Sequence, residues 1–235
     1  MTRYKKLTDV IGLYLNPPEQ ALVSCVDEKN QIQALDRTQP GLPIKKGRCG
    51  TMTHDCKRNG TTTLFAALEI LQGKVVGQCY QRHRHQESLK FLRKLDEEFP
   101  GDVNLHLVMD NYGTHNHEKV RNWLKRHPRF VVHFVPTSSS WLNLVERWFE
   151  HLDSNAIRRG IFRTVPDLET SIEAFLTAWN KDPKPFVWTA MQRWNPSPKS
   201  SPAAAERWSR FSQAAPLPEG GKRRNSCPVI SQTLH

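Results

Sequence analysis

The chain has 235 residues, enough for one domain with a full core and a modest appendage. Thirty-four Lys and Arg against 23 Asp and Glu give a formal net charge of +11 and a pI near 9.6, a balance suited to a polyanionic partner such as nucleic acid. No apolar run approaches the roughly 18 residues of a membrane span, and the start Met1-Thr2-Arg3-Tyr4-Lys5-Lys6 lacks the apolar stretch of a secretory signal, so a cytoplasmic chain with no membrane partner is expected.

In chain order, residues 21–33 open with the apolar run Ala21-Leu22-Val23-Ser24-Cys25-Val26 and break at Asp27-Glu28-Lys29, the pattern of a central strand carrying acids partway along. Residues 60–71 and 74–81 flank Gln72-Gly73 and read as a hairpin. Residues 85–99 place Leu89, Leu92 and Leu95 at helical spacing, and Pro100-Gly101 ends that helix. Residues 103–110 are an apolar strand ending on Asp110, followed by a polar loop, a helix over 117–127 and a strand over 130–135. A serine of the run Ser138-Ser139-Ser140 is expected to cap one continuous helix over 141–159, with Leu142, Val145, Phe149 and Leu152 as its apolar stripe and Glu146 off it. A last helix over 167–181 opens on Pro166-Asp167. The order predicts an α/β fold, a mixed five-stranded sheet flanked by helices. Residues 190–235, with six prolines and seven Lys or Arg against two acids, read as a disordered basic tail.

Cys25, Cys49, Cys56, Cys79 and Cys227 form an odd set without C-x-x-C spacing, against a disulfide framework. Cys49, His54 and Cys56, with His83 and His85 downstream, match no standard zinc spacing, so reduced and unligated thiols are expected.

Three acids stand where this topology presents them to one edge of the sheet: Asp27 on the first strand, Asp110 at the end of the fourth and Glu146 on the late helix. Chemistry that cleaves and rejoins phosphodiesters needs such a set, because carboxylates hold two hard cations about 3.5–4 Å apart, one for the attacking and one for the leaving oxygen.

The motifs Val26-Asp27-Glu28-Lys29, Met109-Asp110-Asn111-Tyr112-Gly113-Thr114-His115 and Pro136-Thr137-Ser138-Ser139-Ser140-Trp141-Leu142-Asn143-Leu144-Val145-Glu146 resemble those of bacterial insertion-sequence transposases, the insertion sequence 630 family of the mariner-related superfamily. The likeness extends over residues 7–189. It implies an RNase H-like DDE catalytic domain over 21–189, with Asp27, Asp110 and Glu146 as metal ligands for two Mg²⁺ ions, Mn²⁺ being a substitute. It further implies DNA cleavage and strand transfer at element ends and target, association with the nucleoid, and a homodimer on paired DNA ends.

Around the triad, Glu28 is expected on the opposite strand face. Asn111 and His115 are expected to orient water or a phosphate, as is Asn143, three residues before Glu146 on the same helix. Lys29, Arg147, Arg158 and Arg159 are candidates for backbone phosphate contacts, with Lys45, Lys46 and Arg48 on an adjoining loop. Trp141 and Trp148 are candidate stacking surfaces for an unpaired base. Relatives of this type carry helix-turn-helix units before the catalytic domain, so residues 1–20 read as a remnant linker of an N-terminally truncated copy. The rival expectations are an inactive fragment that binds DNA non-specifically and a nuclease of the same fold that does not join strands.

Overall fold

The computed structural model describes residues 3–37, 56–99, 101–110, 117–137, 139–158 and 160–185. The elements are α1 (Arg3–Leu15), β1 (Ala21–Arg37), β2 (Cys56–Glu69), β3 (Val75–Tyr80), α2 (His85–Glu98), β4 (Asn104–Met109), α3 (Glu118–Arg126), β5 (Phe130–Phe134), α4 (Val145–Leu152) and α5 (Val165–Lys181). The strands form one sheet in the order β3-β2-β1-β4-β5. β1, β2 and β3 pair antiparallel, while β4 joins β1, and β5 joins β4, in parallel. The parallel additions follow the helical crossovers α2 and α3, the connection that parallel strands require.

Alternation along the strands divides the apolar side chains between two faces. On one, Val26, Phe65, Leu107 and Met109 pack with Phe91, Leu92 and Leu95 of α2 and with Val120 and Trp123 of α3. On the other, α4 packs on β1 and β2 through Val145, Trp148 and Leu152, and α5 lies across β1, β2 and β3 through Leu168, Ile172 and Leu176. Each such large side chain removed from water contributes roughly 1.5–3 kcal/mol before entropic costs. The outer edge of β3 is closed by side chains that imitate a neighbouring strand. The Asn180 amide accepts from the Val75 N–H at 2.9 Å and donates to the Val75 carbonyl at 2.7 Å, and Lys94 donates to the Gly77 carbonyl at 3.1 Å.

Residues 3–15, given no element in the sequence reading, form α1, which buries Val10, Ile11 and Leu13 and packs against β5. The expected helix over 141–159 is instead three pieces. A 3₁₀ turn, Ser140–Leu142, is followed by an extended Asn143 (φ −87°, ψ 102°), then α4, then a π-helical turn, Asp153–Ile157, closed by the Arg158 N–H on the Asp153 carbonyl at 2.7 Å. Ser139, which precedes the 3₁₀ turn, makes no side-chain cap bond, and Leu144 stands at the N-cap of α4. The break has a physical cause: Asn143 spends its side chain on β1, and such a bond offers the backbone an alternative to the helix. α5 starts at Val165 because Thr164 and Asp167 form a reciprocal capping box around it.

Candidate active site

β1 is much longer than β4, and the point where β4 stops lies beside the middle of β1. The parallel register pairs Val26 with Met109, so Asp27 and Asp110 come next on adjacent chains, at about the 4.8 Å spacing of neighbouring strands. Across the antiparallel side Asp27 pairs with Ala66 of β2. Cys25 and Asp27 share a face by strand alternation, and Cys25 meets Tyr14 of α1 there. Asp27 is 7% exposed.

Its two oxygens are separately held. Oδ1 accepts the Glu28 N–H at 2.8 Å, and Oδ2 accepts from Asn143 Nδ2 at 3.1 Å, which also donates to the Val26 carbonyl at 3.1 Å. Burial pushes the Asp27 carboxyl up to about 8. The Glu28 backbone bond opposes this, while the carboxylates of Asp110, Glu146 and Glu28 add to it. Burial and the Asp110 carboxylate also raise Glu28, to about 7. Four acids from β1, the end of β4 and the start of α4 therefore share one electrostatic neighbourhood. Glu28, expected on the opposite strand face in a structural or supporting role, is joined to this group by charge.

Glu146 is exposed in the first turn of α4, between the buried Val145 and Trp148, which anchor the helix and leave the carboxylate at the surface. Among the described residues, no three His, Cys, Asp or Glu side chains are gathered closely enough to hold one ion together. Asp110 and Glu146 act on Asp27 through the electric field, and like-charged groups in a poorly solvated place repel. The donor set nevertheless suits a hard cation: it is all oxygen, and Asn143 Oδ1 is buried with no hydrogen-bond partner. Asn143 was expected on the helix of Glu146. It lies just before that helix, and reaches the site because it is not helical.

Among the candidate DNA contacts, Lys29 is half-buried two residues after Asp27, Arg147 and Arg158 are exposed, and Trp141 is 52% exposed on the 3₁₀ turn. Trp148 is fully buried against Phe149, Phe175 and Trp179, which removes it as a stacking surface. Cys25, Cys56 and Cys79 are free thiols. A contact the sequence did not signal joins α2 to α3, where the rings of His85 and His117 stack at 3.8 Å. A cleft of about 340 Å³ between β3, α2 and α5 is lined by Lys74, Lys94, Glu98 and Glu173 and by none of the acids above. Asn111, His115, Arg159, Lys45, Lys46, Arg48, Cys49, His54 and residues 190–235 lie outside the described residues. No helix among the described residues is long and apolar enough to cross a membrane.

Residues 23–169, which contain all three acids, match the family model described as DDE superfamily endonuclease. The chain belongs to this family. Membership implies the use of divalent metal ions. Within the family, the DDE chain is 31% identical over 97 residues to the insertion element IS630 uncharacterized 39 kDa protein of Shigella sonnei, an alignment covering 40% of this chain and 28% of that protein. The DDE chain thus spans less than a third of that relative's length. Its fold is similar to that of the Mos1 strand transfer complex, with a TM-score of 0.59 and 16% identity over 92% of this chain and 62% of that one. The Mos1 mariner paired end complex with Mn gives a TM-score of 0.56 and 16% identity over 75% and 54%. These likenesses establish the RNase H-like fold, the mixed five-stranded sheet flanked by helices.

Proposed function

We propose that this chain is the catalytic domain of an insertion-sequence transposase, cleaving DNA phosphodiesters and transferring the freed strand to a target. The observation that carries the reading is the placement of Asp27: a buried carboxyl on the central strand, held by Asn143 from the turn that precedes α4 and level with Asp110 just past the end of β4. A place that concentrates negative charge around a buried oxygen ligand is built to receive cations. Asp27, Asp110 and Glu146 would hold them, as two Mg²⁺ or Mn²⁺ ions. When bound, such ions activate the attacking oxygen and stabilise the leaving one. The protein's own part is positioning. Asn143 orients the Asp27 carboxylate, α4 presents Glu146 at the surface where DNA can reach it, and Lys29, Arg147 and Arg158 receive backbone phosphates. The substrate is DNA, element ends and target, with two copies acting on paired ends at the nucleoid.

The test is nicking of supercoiled plasmid by the purified chain with Mg²⁺ or Mn²⁺, beside Asp110→Asn and Glu146→Gln, followed by a strand-transfer assay with a pre-cleaved end. Activity in the parent that both variants abolish supports the reading. Nicking that is unchanged in either variant refutes the assignment of the acids, and hydrolysis without joining turns the transposase into a nuclease.

A further inference from the structure

We infer that Tyr14 of α1 is a positioning residue of the acidic site, fixing through the Leu142 carbonyl the turn that ties Asp27 to Glu146. The inference rests on the metal-binding role proposed above for those two acids.

The contacts form one continuous chain. The Tyr14 hydroxyl donates to the Leu142 carbonyl at 2.5 Å and lies 3.1 Å from Cys25 Sγ. A phenol carries one proton, so with that proton on Leu142 the thiol must donate to Tyr14 Oη. Leu142 is fully buried, and its carbonyl lies at the end of the 3₁₀ turn, where backbone acceptors have no partner inside the helix. The tyrosine supplies that partner from 128 positions away in sequence.

The peptide unit between Leu142 and Asn143 is rigid and planar. Its oxygen is held by Tyr14, and its N–H donates to the Ser140 carbonyl at 2.7 Å. Pinning a plane at both ends leaves Asn143 little freedom in aiming its side chain. That side chain bridges the Val26 carbonyl and Asp27 Oδ2. The Asn143 carbonyl in turn accepts the Glu146 N–H at 3.2 Å, which starts α4. One hydroxyl on α1 therefore governs the orientation of one acid and the backbone position of another. α1 is itself seated on the sheet: Val10 and Ile11 are buried, and Asp9 Oδ2 lies 2.7 Å from Nδ1 of His133 on β5.

The experiment compares the parent chain, Tyr14→Phe and Asp27→Asn. Tyr14→Phe keeps the ring and removes only the hydroxyl. Two readouts are needed: hydrogen exchange of the Asn143 side-chain amide by ¹⁵N NMR, and Mn²⁺ affinity by calorimetry. In Tyr14→Phe the Asn143 amide is expected to exchange at least about tenfold faster while the Leu176 backbone amide on α5 keeps its rate, and Mn²⁺ is expected to bind about tenfold more weakly, the scale of losing an outer-shell partner. Asn143 exchange within twofold of the parent, or faster exchange of both amides alike, overturns the inference and leaves Tyr14 as packing. A parent that binds no Mn²⁺, behaving like Asp27→Asn, removes the metal reading instead, and the Asn143 amide still decides whether Tyr14 fixes the turn.

Discussion

Replacing Asn143 with alanine tests the most enclosed contact of the acidic site. The side chain is 1% exposed and donates two hydrogen bonds at 3.1 Å, one to the neutral Val26 carbonyl and one to Asp27. A neutral bond is worth about 1 kcal/mol net and one to a charged group about 1.5–3 kcal/mol. The Asp27 bond belongs at the lower end, because burial and neighbouring carboxylates push that carboxyl up to about 8 and favour its neutral form. Against the loss stands the removal of Asn143 Oδ1, which is buried without a partner and costs about 1–3 kcal/mol in place. The balance runs from about zero to a net destabilisation of about 1.5 kcal/mol, or at most roughly 6 °C in Tm for a domain of this size. Function suffers more, since Asp27 loses the group that orients it: plasmid nicking with Mn²⁺ is expected to fall about 10- to 100-fold. The assays are thermal unfolding by circular dichroism and nicking at saturating metal. A variant that melts with the parent and nicks within twofold of it would falsify the claim that this amide organises the acids.

Three further outcomes are expected. Gly73 has φ of +73°, and a Cβ there would collide with the Lys184 carbonyl, so Gly73→Ala lowers stability by at least about 1–3 kcal/mol, measured by urea unfolding. Trp148→Ala opens a large cavity under α4 and costs about 3–5 kcal/mol, well above the cost of Trp141→Ala at its 52% exposed position, so melting the two variants side by side checks the burial contrast. Burial and the neighbouring His133 lower His106, with Asp9 opposing. A histidine held neutral by the fold contributes stability that is present above its unfolded value, near 6.5, and is lost as pH falls through that value toward the lower folded one. Unfolding midpoints between about pH 8 and 5 are therefore expected to drop less in His106→Gln than in the parent; equal slopes would remove His106 as the cause.

Much of the architecture is written locally. The apolar runs of β1 and β4, the Gln72-Gly73 turn between β2 and β3, and the helical spacing of α2 and α5 are short-range patterns set by the 2.0 and 3.6 periods of strand and helix. The three acids were recognisable from their placement in that order and from the motifs around them. α1 was not, because its amphipathic signal is modest and its buried residues make sense only against β5. Nor was the break after Leu142, since residues 141–159 carry a helical apolar stripe, and the interruption comes from a side chain bonding a strand 116 residues away in sequence. Local pattern thus determined most of the elements and which acids to watch. The tertiary structure alone decided that Asp27 and Asp110 lie abreast, that Asn143 leaves the helix to hold Asp27, and that Tyr14 reaches the same turn. Sheet register and long-range hydrogen bonds join segments whose separation in the chain leaves no trace in either period.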